Sequence, residues 1–363
     1  MSHNYRQTWA TINLDYVLHN YNAYAKIASD KTIIPVIKAN AYGHGVFEVC
    51  QVLYDKGIRL FAVSLLEEAL EIKHHFNDID VLIMGAIQKD QLDICAQEHL
   101  IFTLYDEDLY HAVMMSHLNL RMHLKYDSGM SRYGVSDQNN VIQMIEKLQN
   151  KPNIRLEGIY THFATANAQD DFYHKQLNAF NALIEALKEK PPIIHASNSS
   201  SIRYNEVNMK HTTHARLGIG LYGLTLDDKP LNLKPVMSLL TKVIQIKHLK
   251  KGDFVGYGIT YCAQKDEIIA LLPIGYADGF IRKNKHGWVL INNKTYQIVG
   301  NICMDTIFIK VDETVHKGDT VTLFGTSLTT DEVAKRLDTI NYEVVTNIQH
   351  RVPRIYIKDG KQL

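Results

Sequence analysis

The chain has 363 residues, 46% of them hydrophobic and 21% charged, which is enough apolar material for a sizeable core and excludes a disordered chain. Lysine plus arginine and aspartate plus glutamate number 39 each, so no charge excess indicates a nucleic-acid partner. The four cysteines, Cys50, Cys95, Cys262 and Cys303, are far apart, which argues against a disulfide framework or a cysteine metal site.

Two further classes are disfavoured by the sequence. No run of about 18 apolar residues predicts a membrane span. The first residues lack the charged-then-apolar order of a signal peptide. We therefore expect a soluble, cytoplasmic protein with no membrane partner and no metal.

Up to about residue 220, short apolar segments alternate with amphipathic ones. The apolar segments predict eight strands, near 33–38, 60–64, 80–85, 101–105, 121–126, 156–162, 192–197 and 213–217. The amphipathic segments predict helices such as Leu65–Phe76, Asp106–His117, Asp137–Gln149 and Asp171–Lys190, with an aspartate as N-cap of the last three. Eight such alternations favour a TIM-type (β/α)8 barrel over an open sheet, although periodicity alone does not show closure.

The pattern changes at residues 224–235, a polar segment with two prolines that is typical of a linker. Beyond it, alternating segments such as 243–247 and 306–311 predict strands, and only Asp331–Leu337 looks helical. We predict an α/β barrel domain at 1–234 and a smaller, mostly β C-terminal domain at 235–363. The first dozen residues are expected to form a strand that returns to the second domain.

The segment that begins at Thr32 carries the strongest chemical signal: Thr-Ile-Ile-Pro-Val-Ile-Lys-Ala-Asn-Ala-Tyr-Gly-His-Gly. Lys38 ends the first predicted barrel strand, and active sites of such barrels lie at the C-terminal ends of the strands. Burial there would favour the neutral, nucleophilic amine that forms an imine. The alternative is a lysine that extends from a strand end to solvent.

Other segments are ambiguous when each is taken alone. Arg216 precedes a glycine-rich turn, Gly218-Ile-Gly-Leu-Tyr-Gly, which suits a phosphate but is more often a plain connector. His162 and His195 end the sixth and seventh predicted strands, where a histidine is more often a packed core residue. Ser199 is equally consistent with a phosphate contact and with a helix cap.

Together these segments resemble the alanine racemase family, and the likeness extends from Trp9 to Arg354. It also includes Arg121-Met-His-Leu-Lys-Tyr-Asp-Ser-Gly-Met-Ser-Arg-Tyr-Gly and Val255-Gly-Tyr-Gly-Ile-Thr-Tyr. The resemblance implies an isomerase that binds pyridoxal 5'-phosphate covalently at Lys38. It further implies interconversion of L- and D-alanine, supply of D-alanine for peptidoglycan, and a homodimer with shared active sites.

The resemblance also assigns residues to the cofactor. Arg216 would face the pyridine nitrogen, oriented by His195, and His162 would stack on the ring. An arginine cannot accept the proton that a carboxylate would share, so the ring nitrogen would stay unprotonated and transamination would be limited. The full cofactor set implied is Lys38, Tyr42, His162, Asn198, Ser199, Arg216, Gly218, Ile219 and Tyr342.

Racemisation needs a proton carrier on each face of the substrate carbon, and the resemblance assigns Lys38 and Tyr257 to these roles. A phenol acts as a base near neutral pH only beside positive charge. In the family, the second domain reaches the active site of the other subunit, so Tyr257 would act across a dimer.

The resemblance assigns four further residues to substrate binding: Arg132, Tyr276, Met304 and Asp305. Arg132 would bind the phenolic oxygen of the cofactor, and Lys125 matches a lysine that is often carbamylated, which would turn a cation into an anion able to hold Arg132. The chain departs from the family at Ser131, where many relatives have glycine, and at Thr306, where glutamine is expected.

Three alternatives remain open at this stage. A non-catalytic cofactor-binding barrel would lack the β domain and Tyr257. A barrel decarboxylase for basic amino acids would favour a protonated ring, which Arg216 disfavours. A broad-specificity racemase is usually exported, and no export signal is visible.

Overall fold

The computed structural model describes residues 5–204, 209–226 and 231–363. A first strand, β1 (Thr8–Asn13), precedes eight parallel strands that lie in one sheet. These eight are β2 (Thr32–Pro35), β3 (Leu60–Val63), β4 (Asp80–Ile83), β5 (Ile101–Leu104), β6 (Leu120–Lys125), β7 (Ile154–Tyr160), β8 (Ile193–His195) and β9 (His214–Leu217).

The eight-stranded sheet closes into a nearly complete barrel. Its order is β2-β9-β8-β7-β6-β5-β4-β3. The two end strands meet through a parallel bridge between Val36 and Ala62, and the Ile37 amide donates to the Ala62 carbonyl oxygen at 2.9 Å. The predicted TIM-type barrel is confirmed.

The helices of the barrel domain each bury one face, and all except the first follow a barrel strand. They are α1 (Leu14–Ile27), α2 (Lys38–Tyr42), α3 (Val46–Asp55), α4 (Leu66–His75), α5 (Leu92–Gln97), α6 (Glu107–Met115), α7 (Gln138–Gln149), α8 (Asp171–Ala186) and α9 (Ser199–Tyr204). Asp106 and Asp137 cap α6 and α7 as predicted, with side chains that accept from backbone amides. For α8 the prediction was wrong by one residue, because Asp170 rather than Asp171 is the cap.

The second domain is mostly β. Its strands are β10 (Met237–Lys242), β11 (Gln245–Leu249), β12 (Phe254–Val255), β13 (Tyr261–Cys262), β14 (Glu267–Leu272), β15 (Trp288–Ile291), β16 (Lys294–Val299), β17 (Ile307–Val311), β18 (Thr320–Phe324), β19 (Arg354–Lys358) and β20 (Lys361–Gln362). Two helices lie between β18 and β19: α10 (Thr330–Leu337) and α11 (Asn341–Thr346). The expectation of a single helix here was wrong, since α11 buries Val344 and Val345.

The two domains are joined at several points. Strand β1 lies in the second sheet, antiparallel to β10 and parallel to β19. Asn20 of α1 donates to the carbonyl oxygens of Leu221 and Lys234 and accepts from the Lys234 amide. These bonds connect α1 to a residue just before the predicted linker and to another near its end. Residues 227–230 of that linker lie outside the described residues. The boundary between 234 and 235 stays a prediction.

Candidate active site

A cavity of about 360 Å³ opens at the C-terminal ends of the barrel strands. Eleven of the predicted site residues line it: Lys38, Tyr42, Lys125, Arg132, His162, Asn198, Ser199, Arg216, Gly218, Ile219 and Tyr342. The structure therefore brings together residues from opposite ends of the sequence, from Lys38 to Tyr342.

Lys38 does not end a regular strand, and this part of the sequence prediction was wrong. Strand β2 ends at Pro35, and Lys38 starts the short helix α2. The four residues that follow, Ala39–Tyr42, all have φ values of 52–53°, so α2 is a left-handed turn built from non-glycine residues. Each such residue is strained by about 1–2 kcal/mol, and strain of this kind concentrates at functional sites.

Side chains from neighbouring elements hold the left-handed turn. The Ala39 amide donates to the Glu68 carboxylate at 2.6 Å, and the Val46 amide donates to Asn40 Oδ1 at 2.8 Å. His44, which is buried, contacts the carbonyl oxygens of Ala41 and Tyr42 through Nδ1 at 3.0 Å. These bonds fix the backbone from which the Lys38 side chain enters the cavity.

The cavity is rich in positive charge. Its lining includes Lys38, Lys125, Arg132 and Arg216, and no aspartate or glutamate is among the described residues that line it. Burial, with the nearby Arg132, lowers the pKa of Lys38. The site therefore favours a neutral amine at Lys38 and an anionic ligand.

Arg216 is fully buried and is held entirely by neutral groups. Its NH1 donates to His195 Nδ1 at 2.6 Å, and its NH2 donates to the carbonyl oxygens of Thr161 and Ala196 at 2.9 Å and to His162 Nδ1 at 3.1 Å. Burial lowers the pKa of Arg216 to about 10, so it remains charged at neutral pH. Within the described part of the chain its Nε–H has no acceptor, which leaves this donor available to a ligand atom.

A cluster of donors surrounds Ser199 at the start of α9. The Gly218 and Gly220 amides donate to Ser199 Oγ at 3.0 and 3.1 Å. A Cβ at Gly218 would lie 2.9 Å from the Tyr42 hydroxyl oxygen, so only glycine lets these groups converge. The cap of α9 is Asn198, whose Oδ1 accepts from the Ser201 amide at 3.0 Å.

Lys125 and Arg132 also line the cavity and lie beside Tyr133. Lys125 Nζ is 3.6 Å from the centre of the Tyr133 ring, and burial, with Arg132 and Arg216 nearby, lowers its pKa to about 7. Ser131 has a φ of 56°, a conformation that suits the glycine expected there. Asp127 Oδ1 supports this loop by accepting from the Ser131 amide at 3.1 Å.

The second domain contributes one predicted residue to this cavity and leaves others exposed. Tyr342 lies 6.3 Å from Tyr42 between ring centres. Tyr257, Tyr276 and Met304 do not line the cavity of their own chain, and their exposed fractions are 76%, 41% and 52%. In the single chain these three side chains are therefore accessible to solvent.

The segment that carries Met304 is fixed by an ion-pair network. Arg351 pairs with Asp305 at 2.7 Å and with the buried Asp278 at 3.1 Å, and Arg6 pairs with Asp278 at 2.6 Å. The Ala277 amide donates to the Met304 carbonyl oxygen at 3.0 Å. Three of the four predicted substrate residues, Tyr276, Met304 and Asp305, therefore lie on segments that are bonded to one another, whereas Arg132 lies in the barrel cavity.

Sequence reasoning missed several groups that shape the site. Tyr133 and Tyr160 line the cavity, and Tyr160 stacks on His195 with ring centres 4.6 Å apart. His123 lies behind His195, with its Nδ1 2.9 Å from His195 Nε2. His123 lies two residues before Lys125 on β6, so the two side chains lie on the same face of the strand. This spacing was the one feature of the sequence that could have placed His123 inside the barrel.

Across residues 5–204, 209–226 and 231–363, no helix combines the length and apolar character needed to cross a membrane. The same residues include no group of three or more histidine, cysteine, aspartate or glutamate side chains placed to hold a metal ion.

Comparison with known proteins identifies the family. The model for the alanine racemase N-terminal domain matches residues 12–226, and that for the C-terminal domain matches residues 236–356. Alanine racemase of Halalkalibacterium halodurans is 38% identical over 382 residues, which cover 99% of this chain and 98% of the relative. That of Listeria monocytogenes is 36% identical over 366 residues, covering 97% of this chain and 98% of the relative.

Solved structures agree with the sequence relatives. The alanine racemase of Bacillus anthracis with bound L-Ala-P has a TM-score of 0.92 at 33% identity and covers 100% of this chain and 98% of its own. The biosynthetic alanine racemase of Pseudomonas aeruginosa has a TM-score of 0.88 at 31% identity and covers 97% of this chain and 100% of its own. The chain, with its barrel, the left-handed turn after Lys38 and its β domain, therefore belongs to the alanine racemase family.

Proposed function

We propose that this chain is a cytoplasmic, pyridoxal-phosphate-dependent isomerase that interconverts L- and D-alanine and supplies D-alanine for peptidoglycan. The observation that carries the proposal is the cavity itself, where a strained turn presents Lys38 among three other cations. Membership of the family supports the reaction class. The residues given below are the ones we propose to act.

The residues present fit the cofactor. Ser199, the amide of Ile219, and the hydroxyls of Tyr42 and Tyr342 would hold its phosphate, Gly218 would let it approach the backbone, and Asn198 would shape that end of the cavity. Arg216 would direct its free Nε–H at the pyridine nitrogen, with His162 against the ring. Arg132 would bind the phenolic oxygen. When bound at Lys38, pyridoxal phosphate supplies an electron-withdrawing ring that acidifies the α-carbon of an amino acid.

Two side chains of the protein would move the proton. Lys38 would hold it on one face of the α-carbon, where burial favours a neutral amine able to accept it. Tyr257 of the partner subunit would hold it on the other face. Met304 and Asp305 of the partner subunit would bind the substrate carboxylate through the backbone, and Tyr276 would narrow the entrance to favour a small side chain.

Lys125 is proposed to support Arg132, with or without carbamylation. A pKa near 7 makes a large fraction of its amine neutral at physiological pH, and a neutral amine is the form that reacts with carbon dioxide. A carbamate would place an anion beside Arg132 and reduce the repulsion among the cations of the cavity.

A homodimer is proposed because the second proton carrier does not reach the cavity of its own chain. Phe254 and Ile259 flank Tyr257 and are 58% and 61% exposed, so the hairpin presents an apolar surface. Association with a second copy would bury this surface and bring Tyr257 to the partner's cavity.

One assay tests the reaction. Purified protein loaded with pyridoxal phosphate should form D-alanine from L-alanine in a coupled oxidase assay, with slower turnover of serine and none of the larger amino acids. Lys38→Ala should abolish turnover, and Tyr257→Phe should slow proton abstraction in one direction more than in the other. Carbon dioxide release from ornithine, lysine or arginine would instead support a decarboxylase.

Subunit mixing tests the shared site. Lys38→Ala chains, which should be inactive alone, and Tyr257→Phe chains, assayed in the direction that this substitution slows most, should together regain about one quarter of wild-type activity after refolding, because one site in each mixed dimer has both residues. No recovery in mixed dimers of confirmed composition would contradict a site built from two chains.

A further inference from the structure

Two histidines behind Arg216, His195 and His123, form a chain of hydrogen bonds with it. The direction of each bond follows from which atoms can donate and which can accept. A guanidinium can only donate, so His195 Nδ1, at 2.6 Å from Arg216 NH1, must be the acceptor. His195 must then carry its proton on Nε2. That proton is directed at His123 Nδ1, 2.9 Å away, which must also be an acceptor.

Both imidazoles are neutral and wholly inside the protein. His123 and His195 have no exposed surface, and burial together with Arg216 lowers the pKa of each. His123 Nε2 carries the remaining proton and has no partner among the described residues. A buried unpaired N–H is costly, so a packing role alone would be filled better by an apolar residue.

The backbone around His123 is shaped to place its ring. The pairing of β6 with β7 shifts between Met122 and His123, so that Met122 faces Leu156 and His123 faces Gly158. A Cβ at Gly158 would lie 2.7 Å from the His123 ring, so any other residue there would displace the imidazole. Glu157, left out of the pairing, is held by Arg121 at 2.7 Å.

We propose that His123 is a positioning residue for Arg216: it accepts the Nε2 proton of His195 and thereby keeps the Nδ1 lone pair of His195 on the guanidinium. The inference rests on the proposed function, in which Arg216 Nε–H meets the ring nitrogen of the cofactor. Without the acceptor at His123, His195 would lose the bond that fixes its ring, and Arg216 would lose the orientation of its free donor.

Two variants of similar shape separate this role from packing. His123→Asn keeps an oxygen acceptor close to the position of Nδ1, whereas His123→Leu fills the space without one. Each purified apo-protein is titrated with pyridoxal phosphate and with its 1-deaza analogue, in which a C–H replaces the ring nitrogen. The ratio of the two affinities measures the contact between Arg216 and that nitrogen.

We expect wild-type protein and His123→Asn to prefer pyridoxal phosphate over the analogue to the same extent. His123→Leu should lose about tenfold of that preference, as expected when one buried hydrogen bond is removed. Equal ratios in all three proteins, or a smaller ratio in His123→Asn than in His123→Leu, would overturn the proposal.

Two controls complete the test. Thermal unfolding shows whether each variant folds, and if His123→Leu does not, His123→Phe supplies a flat ring without an acceptor and is judged by the same ratios. Failure of the wild-type protein to bind either compound would contradict the proposed function itself. An unchanged ratio with normal binding would contradict only the role of His123.

Discussion

The left-handed turn after Lys38 predicts that one substitution should stabilise the protein and slow it at the same time. Ala39 has a φ of 52° and is exposed, and its amide bond to Glu68 does not involve its side chain. In Ala39→Gly the strain at this position is relieved while no cavity is created. The turn should become easier to form but less rigid.

The size of the effect follows from two opposing terms. Removing the left-handed strain of an L-residue gains about 1–2 kcal/mol, and the larger backbone freedom of glycine in the unfolded chain costs about 0.5–1 kcal/mol. The net stabilisation should be about 0.5–1 kcal/mol. Turnover should fall about three- to tenfold, because a less constrained Lys38 spends less time in the reactive geometry.

The measurement compares Ala39→Gly with a matched control. His99 has the same φ of 52°, follows α5 far from the cavity, and is also exposed. His99→Gly should give a similar gain in the free energy of unfolding, measured in urea, with unchanged kcat. The reasoning would be refuted if Ala39→Gly were less stable than wild type, or if both variants lost the same activity.

Three other expectations concern separate parts of the molecule. Lys151→Met should lower the free energy of unfolding by about 2–3 kcal/mol in urea, because Lys151 Nζ donates to three carbonyl oxygens at the end of α6; no change would contradict this. Ser199→Ala should weaken pyridoxal phosphate binding about tenfold by loss of a donor to the phosphate, while the buried neighbour variant Ser200→Ala should not. The Lys125 pKa is about 7 against an ordinary 10.5, so its burial destabilises the fold fully below pH 7 and not at all above pH 10.5. In buffer free of carbon dioxide, the stability of wild type relative to Lys125→Met should therefore rise between these pH values, and a constant difference would be evidence against the lowered pKa.

The barrel could be predicted because its strands are buried on both faces. Such strands tend to appear as apolar runs, and each of the eight predicted runs overlaps one observed strand. The first run was extended too far, to residue 38, because Val36 and Ile37 are buried although the strand has ended. Hydrophobic residues in a sequence indicate burial but not the handedness of the backbone. The left-handed segment Ala39–Tyr42 contains no glycine, which is the residue that would have indicated a positive φ.

Helix α11 was missed for a related reason. It has six residues, two of them adjacent valines, and so has little helical propensity of its own. It packs against the left-handed turn after Lys38, which ends at Gly43. The contact is close, since a Cβ on Gly43 would lie 2.6 Å from the Val345 carbonyl oxygen. Contacts of this kind depend on the assembled fold and have no local signature.

Eleven of the cavity residues were predicted from motifs, whereas Tyr133 and Tyr160 in the lining and His123 behind it were not. Lys38 and Ser199 lie just beyond the ends of β2 and β8, and Arg216 lies near the end of β9, on the side of the barrel where the fold requires the active site to be. His123 and Tyr160 look like ordinary barrel interior in the sequence, because alternation places them inside without saying what they touch. Their role becomes visible only once His195 and Arg216 are located.

The choice of neutral partners for Arg216 has a consequence for the whole site. A carboxylate in place of His195 would neutralise the guanidinium inside the protein, and little of its field would reach a ligand. With imidazole and carbonyl partners the charge persists, and it adds to that of Arg132 and to the charged fraction of the two lysines in a cavity of about 360 Å³. The protein therefore leaves the compensation of these cations to an anionic ligand. Binding of that ligand should also stabilise the protein. A ligand that binds only the folded state and neutralises the cavity raises the free energy of unfolding.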